Sequence, residues 1–91
     1  MSNDIKTLRE QWETLSNKET CPNRLTPLIG SRPLDEDGDG LIVELTPGQT
    51  VDGIFHLTRA LASFFDLAVG SVWVAEVPEK ARRMRIEIKN P

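Results

Sequence analysis

Two clusters in this 91-residue chain carry charge at spacings that suggest chemistry. The first is Asp35-Glu36-Asp37-Gly38-Asp39-Gly40. Carboxylates at alternate positions followed by glycine match the first half of a calcium-binding loop, in which side-chain oxygens converge on the ion and the glycine makes the sharp turn. Ile42 fits the hydrophobic position further on. The match fails at Thr46, where the loop needs a bidentate glutamate, and at Pro33, where it needs a preceding helix. Calcium takes roughly six to eight oxygens, and this run offers too few. It reads better as a polar hairpin turn that uses Asp and Gly for their tolerance of positive φ, with calcium binding as a minor alternative. The second cluster is basic: Lys80, Arg82, Arg83, Arg85 and Lys89, with Glu87 among them. Such a strip suits either sequence-blind contact with phosphate or the solvated edge of a sheet.

The other reactive side chains lack partners. The single histidine, His56, needs a nucleophile nearby to act as a general base. Ser63 is seven positions on, about 10 Å of helical rise away, too far for a hydrogen bond. Cys21 is the only cysteine, which excludes an intrachain disulfide and a four-cysteine zinc site. It reads as a lone reduced thiol. One histidine excludes H-E-x-x-H, and neither G-x-x-x-x-G-K-[ST] nor G-x-G-x-x-G occurs in the sequence. No pair of carboxylates stands out as acid and base. The expectation is a non-catalytic chain that uses no cofactor and no metal.

Composition limits the partners. The chain holds 11 Lys+Arg and 14 Asp+Glu, a formal net charge of −3. Residues 1–79 carry 6 basic and 13 acidic side chains, for −7, and residues 80–91 carry 5 and 1, for +4. A net negative charge argues against a stand-alone, tight nucleic-acid binder but leaves the terminal strip free to touch phosphate. No apolar run is long enough to span a bilayer, and the first residues lack the basic-then-apolar pattern of a signal peptide. A cytoplasmic location is expected.

The elements that must position these groups follow from periodicity. Ile5, Leu8, Trp12 and Leu15 share one helical face, which predicts a helix over 4–15 capped by Asn3 or Asp4. Ser16 to Asn23 reads as a linker, in which Cys21-Pro22 stops any helix. Leu25 to Ser31 reads as an edge strand or extended segment, interrupted by Pro27, and Pro33 to Gly40 as a turn. Gly40 to Leu45 alternates as a strand. Thr50, with Asp52 behind it, starts a helix that runs to Leu67 with Val51, Ile54, Leu57, Leu61 and Phe64 or Phe65 on its apolar stripe. Val72, Val74 and Glu76 alternate with Trp73, Ala75 and Val77 in a strand over 70–77. The last strand, 82–89, points Met84, Ile86 and Ile88 inward and Arg83, Arg85, Glu87 and Lys89 outward. Trp12, Trp73, Phe55, Phe64 and Phe65 could form a stacking platform, but helical or strand alternation explains most of them as core. Phe55 lies off the stripe, and its exposure would mark a contact with a partner. The whole predicts a single α+β domain over 1–91: a two-layer sandwich with helices on one face of a mainly antiparallel sheet, in the order α-β-β-α-β-β.

Several of these stretches recur together in a known family. The strand Leu41-Ile42-Val43-Glu44-Leu45 leads into Pro47-Gly48. The helix carries Ile54-Phe55-His56-Leu57 and Leu61-Ala62. Then come Val72-Trp73-Val74-Ala75-Glu76-Val77-Pro78, Lys80 in the turn, and Arg85-Ile86-Glu87-Ile88-Lys89-Asn90. In order and spacing, residues 41–90 resemble the small alpha domain that precedes the motor of FtsK/SpoIIIE-type DNA translocases, while residues 1–40 carry no motif of it. The resemblance implies a domain without an ATPase site. It implies help in assembling a ring of neighbouring subunits around double-stranded DNA, driven by an ATPase motor on the same or another chain of a parent protein that a membrane could anchor. On that reading Lys80, Arg82, Arg83 and Arg85 face phosphate or a neighbouring subunit, and DNA binding is weak and blind to sequence. The alternative is a stand-alone cytoplasmic protein-interaction domain with no nucleic-acid role, favoured by the net negative charge.

Overall fold

The computed structural model describes residues 2–89, with side chains from Ile5 onward. Helix α1 spans Ser2–Ser16, and a 3-10 segment spans Asn23–Leu28. Strands β1 (Arg32–Asp37) and β2 (Gly40–Glu44) form a first hairpin. Helices α2 (Val51–Phe55) and α3 (Thr58–Phe64) cross to a second hairpin, β3 (Val72–Val77) and β4 (Lys80–Ile88). The two hairpins join through β2 and β4, giving an antiparallel sheet in the order β1-β2-β4-β3. This is the α+β architecture expected. Helix α1 begins at Ser2, earlier than expected, so Asn3 and Asp4 lie within its first turn and not at its cap, and the motif position Asn90 lies outside the described residues.

One core holds the layers together. Leu8, Trp12 and Leu15 from α1, Leu25 and Leu28 from the 3-10 segment, Val51 and Ile54 from α2, and Leu61 and Ala62 from α3 meet Leu41, Val43, Val72, Met84 and Ile86 on one face of the sheet. Trp12 is fully buried, and its Nε1 donates to Ser31 Oγ at 2.8 Å while Ser31 donates onward to the Leu28 carbonyl. That relay satisfies an indole N–H that burial would otherwise leave unpaired. It ties α1 to the entrance of β1.

Three local expectations need correction. Residues 25–31 are not extended: Leu25 and Leu28, three apart, both turn into the core from a 3-10 segment that carries Pro27. The edge strand is instead 32–37, where a turn was expected from Pro33 onward. Pro33 is accommodated because β1 is an edge strand with an irregular register between Pro33 and Glu36. The turn itself is only Gly38-Asp39, with Gly38 at φ +61, the geometry of a type II′ hairpin. Finally, the helix over 50–67 breaks at His56-Leu57, where Leu57 takes φ −99 and ψ 3 and the Thr58 hydroxyl donates to the Phe55 carbonyl at 3.1 Å. Its start is as expected, since Thr50 Oγ1 accepts from the Gly53 N–H.

Candidate interaction surface

The helices cover one face of the sheet and leave the other to solvent. On that open face β4 presents Arg83, Arg85 and Glu87, flanked by Glu44 and Ile42 of β2 and by Ala75 and Trp73 of β3. A diagonal of polar contacts crosses it. Arg85 Nε meets Asp37 Oδ2 at 3.2 Å, and Arg85 Nη2 donates to the Asp37 carbonyl at 2.8 Å. Arg85 Nη1 pairs with Glu87 Oε2 at 2.5 Å. Glu87 Oε1 lies 3.8 Å from Lys89 Nζ, which sits 4.7 Å from the centre of the Trp73 ring. The guanidinium lies so close over Gly40 that a Cβ there would come within 2.5 Å of Arg85 Cζ. Glycine at the start of β2 is thus what seats Arg85.

These contacts set the charge states. The Arg85 hydrogen bond holds the Glu87 carboxyl below the ordinary carboxylate range, and the same bond raises Arg85. Arg32 bonds Glu44 at 2.7 Å and lowers that carboxyl likewise. Burial pushes the Cys21 thiol up. Its Sγ donates to the Leu25 carbonyl at 3.1 Å.

The four basic residues singled out from the sequence do not form one patch. Arg83 and Arg85 share the open face, Arg83 opposite Glu44. Arg85 is committed to two carboxylates and its side chain is only 29% exposed. Arg82 has the opposite parity: its carbonyl accepts from the Leu45 N–H, and Nη1 reaches the Leu45 carbonyl at 3.4 Å. Lys80 starts β4 beside the turn, in a depression of about 430 Å³ that Asp52, Glu76 and Glu79 also line. Among the described residues, Lys80, Arg82 and Arg83 enter no ion pair.

The acidic run is a strand end and turn whose Asp37 is taken by Arg85. Among the described residues, no group of three or more His, Cys, Asp or Glu side chains is placed to hold a metal ion, and no helix is long and apolar enough to cross a membrane. Phe55 is 61% exposed and stacks edge-on against His56. Trp73 differs from the expectation of core: it is 56% exposed on the open face. The period-two pattern already placed it opposite Val72 and Val74, so the signal was present. Comparison with family models, curated proteins and solved structures finds no match to this chain.

Proposed function

We propose that this domain is a non-catalytic protein-interaction module that works through the open side of its sheet at the β3 end. The observation that carries this reading is a contrast of commitments. Arg85 and Lys89 have carboxylate partners within the domain, as does Arg32 on the far edge of the sheet, whereas Trp73 stands half out in solvent next to Lys89 and opposite Glu87. Exposed tryptophan is the side chain most enriched in binding hot spots, and neutralised arginines offer little to phosphate. A photo-crosslinking residue placed at Ala75, which leaves Trp73 in position on the same face of β3, should capture protein in cells, and one placed at Asp35 on the opposite edge should not. Equal capture at both positions, or none at Ala75, rejects the reading.

A second reading has its own support. The run of β2, α2, α3, β3 and β4 follows the order expected of a translocase alpha domain, and Lys80, Arg82 and Arg83 are free of ion pairs among the described residues. In that reading the domain is an accessory piece of an FtsK/SpoIIIE-type translocase that meets neighbouring subunits and DNA. Anisotropy with a labelled duplex separates the two. Binding that weakens with salt, and again with Lys80, Arg82 and Arg83 changed to Ala, favours the translocase reading. No binding at low salt removes it.

A further inference from the structure

The β3 edge carries the inference furthest. The Lys89 N–H donates to the Ser71 carbonyl at 2.7 Å. In an antiparallel ladder hydrogen-bonded pairs alternate, so Trp73/Glu87 and Ala75/Arg85 are the bonded pairs between β3 and β4. The backbone groups of Val72, Val74 and Glu76 therefore point away from the sheet. No hydrogen bond among the described residues reaches them, and β3 has no second neighbour. The strand reads Val-Trp-Val-Ala-Glu-Val, with no proline and one charge. An edge of this kind templates another strand.

We infer that the occupant is a second copy of this chain, paired antiparallel through β3 about a two-fold axis at Val74. This rests on the reading of the domain as an interaction module and names its partner. The register follows from the strand itself. Centred on Val74, Val72 meets Glu76 of the second copy, Val74 meets its counterpart, and every outward backbone group is bonded. A shift of two residues one way sets Val72 against Pro78, which has no N–H to give. The opposite shift sets Glu76 against Gly70, outside the strand. The Val74 register also fits side chains. Trp73 falls beside Ala75 of the second copy, a large group against a small one, in a non-hydrogen-bonded pair where side chains come closest. Charge agrees, because each Glu76 lies against a valine, with the two carboxylates offset by roughly 13 Å along the strand. A six-residue edge with two half-exposed tryptophans falls short of the roughly 1,000 Å² that a stable dimer needs. The pair is therefore weak, with a dissociation constant on the order of 100 μM.

The test is sedimentation and NMR diffusion of the whole chain from about 20 μM to about 2 mM, a range that spans that constant, with amide exchange at Val72, Val74 and Glu76. The expected result is a dimer that grows with concentration, together with protection of those three amides only in the concentrated sample. Trp73→Ser and Ala75→Glu, both at exposed positions, should each weaken association about tenfold or more with an unchanged circular dichroism spectrum. A single diffusion coefficient with fast exchange throughout overturns self-pairing and leaves the edge open for a different protein. Protection in a monomer at every concentration shows a closed edge, which overturns both self-pairing and the use of this edge. Association that persists in both variants overturns the β3 register.

Discussion

The two hairpins of this domain end in opposite ways. In the first, the edge strand β1 carries Pro33, an irregular register and the carboxylates Asp35, Glu36 and Asp37, each of which discourages another strand from adding. It is also fastened: Arg9 of α1 donates to the Leu34 carbonyl at 2.9 Å, Ser31 holds Trp12, and Asp37 holds Arg85. Its Gly38-Asp39 turn has the handedness that suits the twist of the strands. In the second hairpin, the edge strand β3 is regular over Val72–Glu76, mostly apolar and uncovered at its outer side. The Pro78-Glu79 turn puts Glu79 at φ +75, the left-handed region at the third position of a type II turn, which favours glycine. One hairpin is closed off and buttressed. The other is left available, and its turn is strained. Where a small sheet has two edges, closing one restricts strand addition to the other.

The largest effect should come from the buttress of the first hairpin. Ser31→Ala leaves the buried Trp12 N–H without a partner and should cost about 1–3 kcal/mol. That is a large share of the roughly 5–15 kcal/mol typical of a whole domain. Chemical denaturation measures it, and exchange of the β1 amides should accelerate with it. A loss that falls on β3 amides instead would mean that the two hairpins are not fastened separately as described.

The strained turn gives a smaller effect of opposite sign. Glu79→Gly should stabilise the domain by about 0.5–1 kcal/mol, because relief of the left-handed backbone exceeds the added entropy of the unfolded chain. Asp66 offers a control. It occupies φ +57 just after α3, where the Asp66 N–H bonds the Ser63 carbonyl and the Leu67 N–H bonds the Ala62 carbonyl, the pattern of a Schellman cap. Asp66→Gly should gain less, since aspartate tolerates this region better than glutamate. Equal gains from the two would remove any special strain from the second hairpin.

How much of this contrast the sequence disclosed depends on the range of the forces involved. The α1 face, the β2 and β4 alternation and the Thr50 cap are local patterns, and all three were legible. So was the outward parity of Trp73, Arg83 and Arg85. The β1 strand was hidden because a proline and three acidic residues look like a turn when the neighbouring strand that tolerates them is unseen. Leu25 and Leu28 were apolar enough to suggest a strand, and only packing shows that their spacing is that of a tight helix. The break at His56-Leu57 has no glycine or proline to announce it. The commitment of Arg85 was the least legible, since its partner Asp37 lies 48 residues earlier and meets it only after β2 has come between them.

The smallest effect is electrostatic, and it tests whether the first hairpin is fastened by charge as well as by the core. Glu44 and Glu87 have carboxyls held below their unfolded values by Arg32 and Arg85. A depressed carboxylate contributes stability that is complete above its unfolded value and is lost as pH falls through its folded value. Stability should therefore be level through neutral pH and decline only as the solution passes down through the carboxylate range and below it. The decline should be slight, because the Arg32 pair is solvent-exposed and such pairs contribute little. Site-resolved carboxyl titration by NMR is the sharper measurement. Arg32→Met should return Glu44 upward toward the ordinary carboxylate value without moving Glu87. Arg85→Met should do the reverse, and it should also free Asp37 and loosen the end of β1. If Glu87 does not rise when Arg85 is removed, the diagonal from β1 to Trp73 is not a connected network in solution, and the open face loses the neutralised arginine that distinguishes it from a phosphate-binding strip.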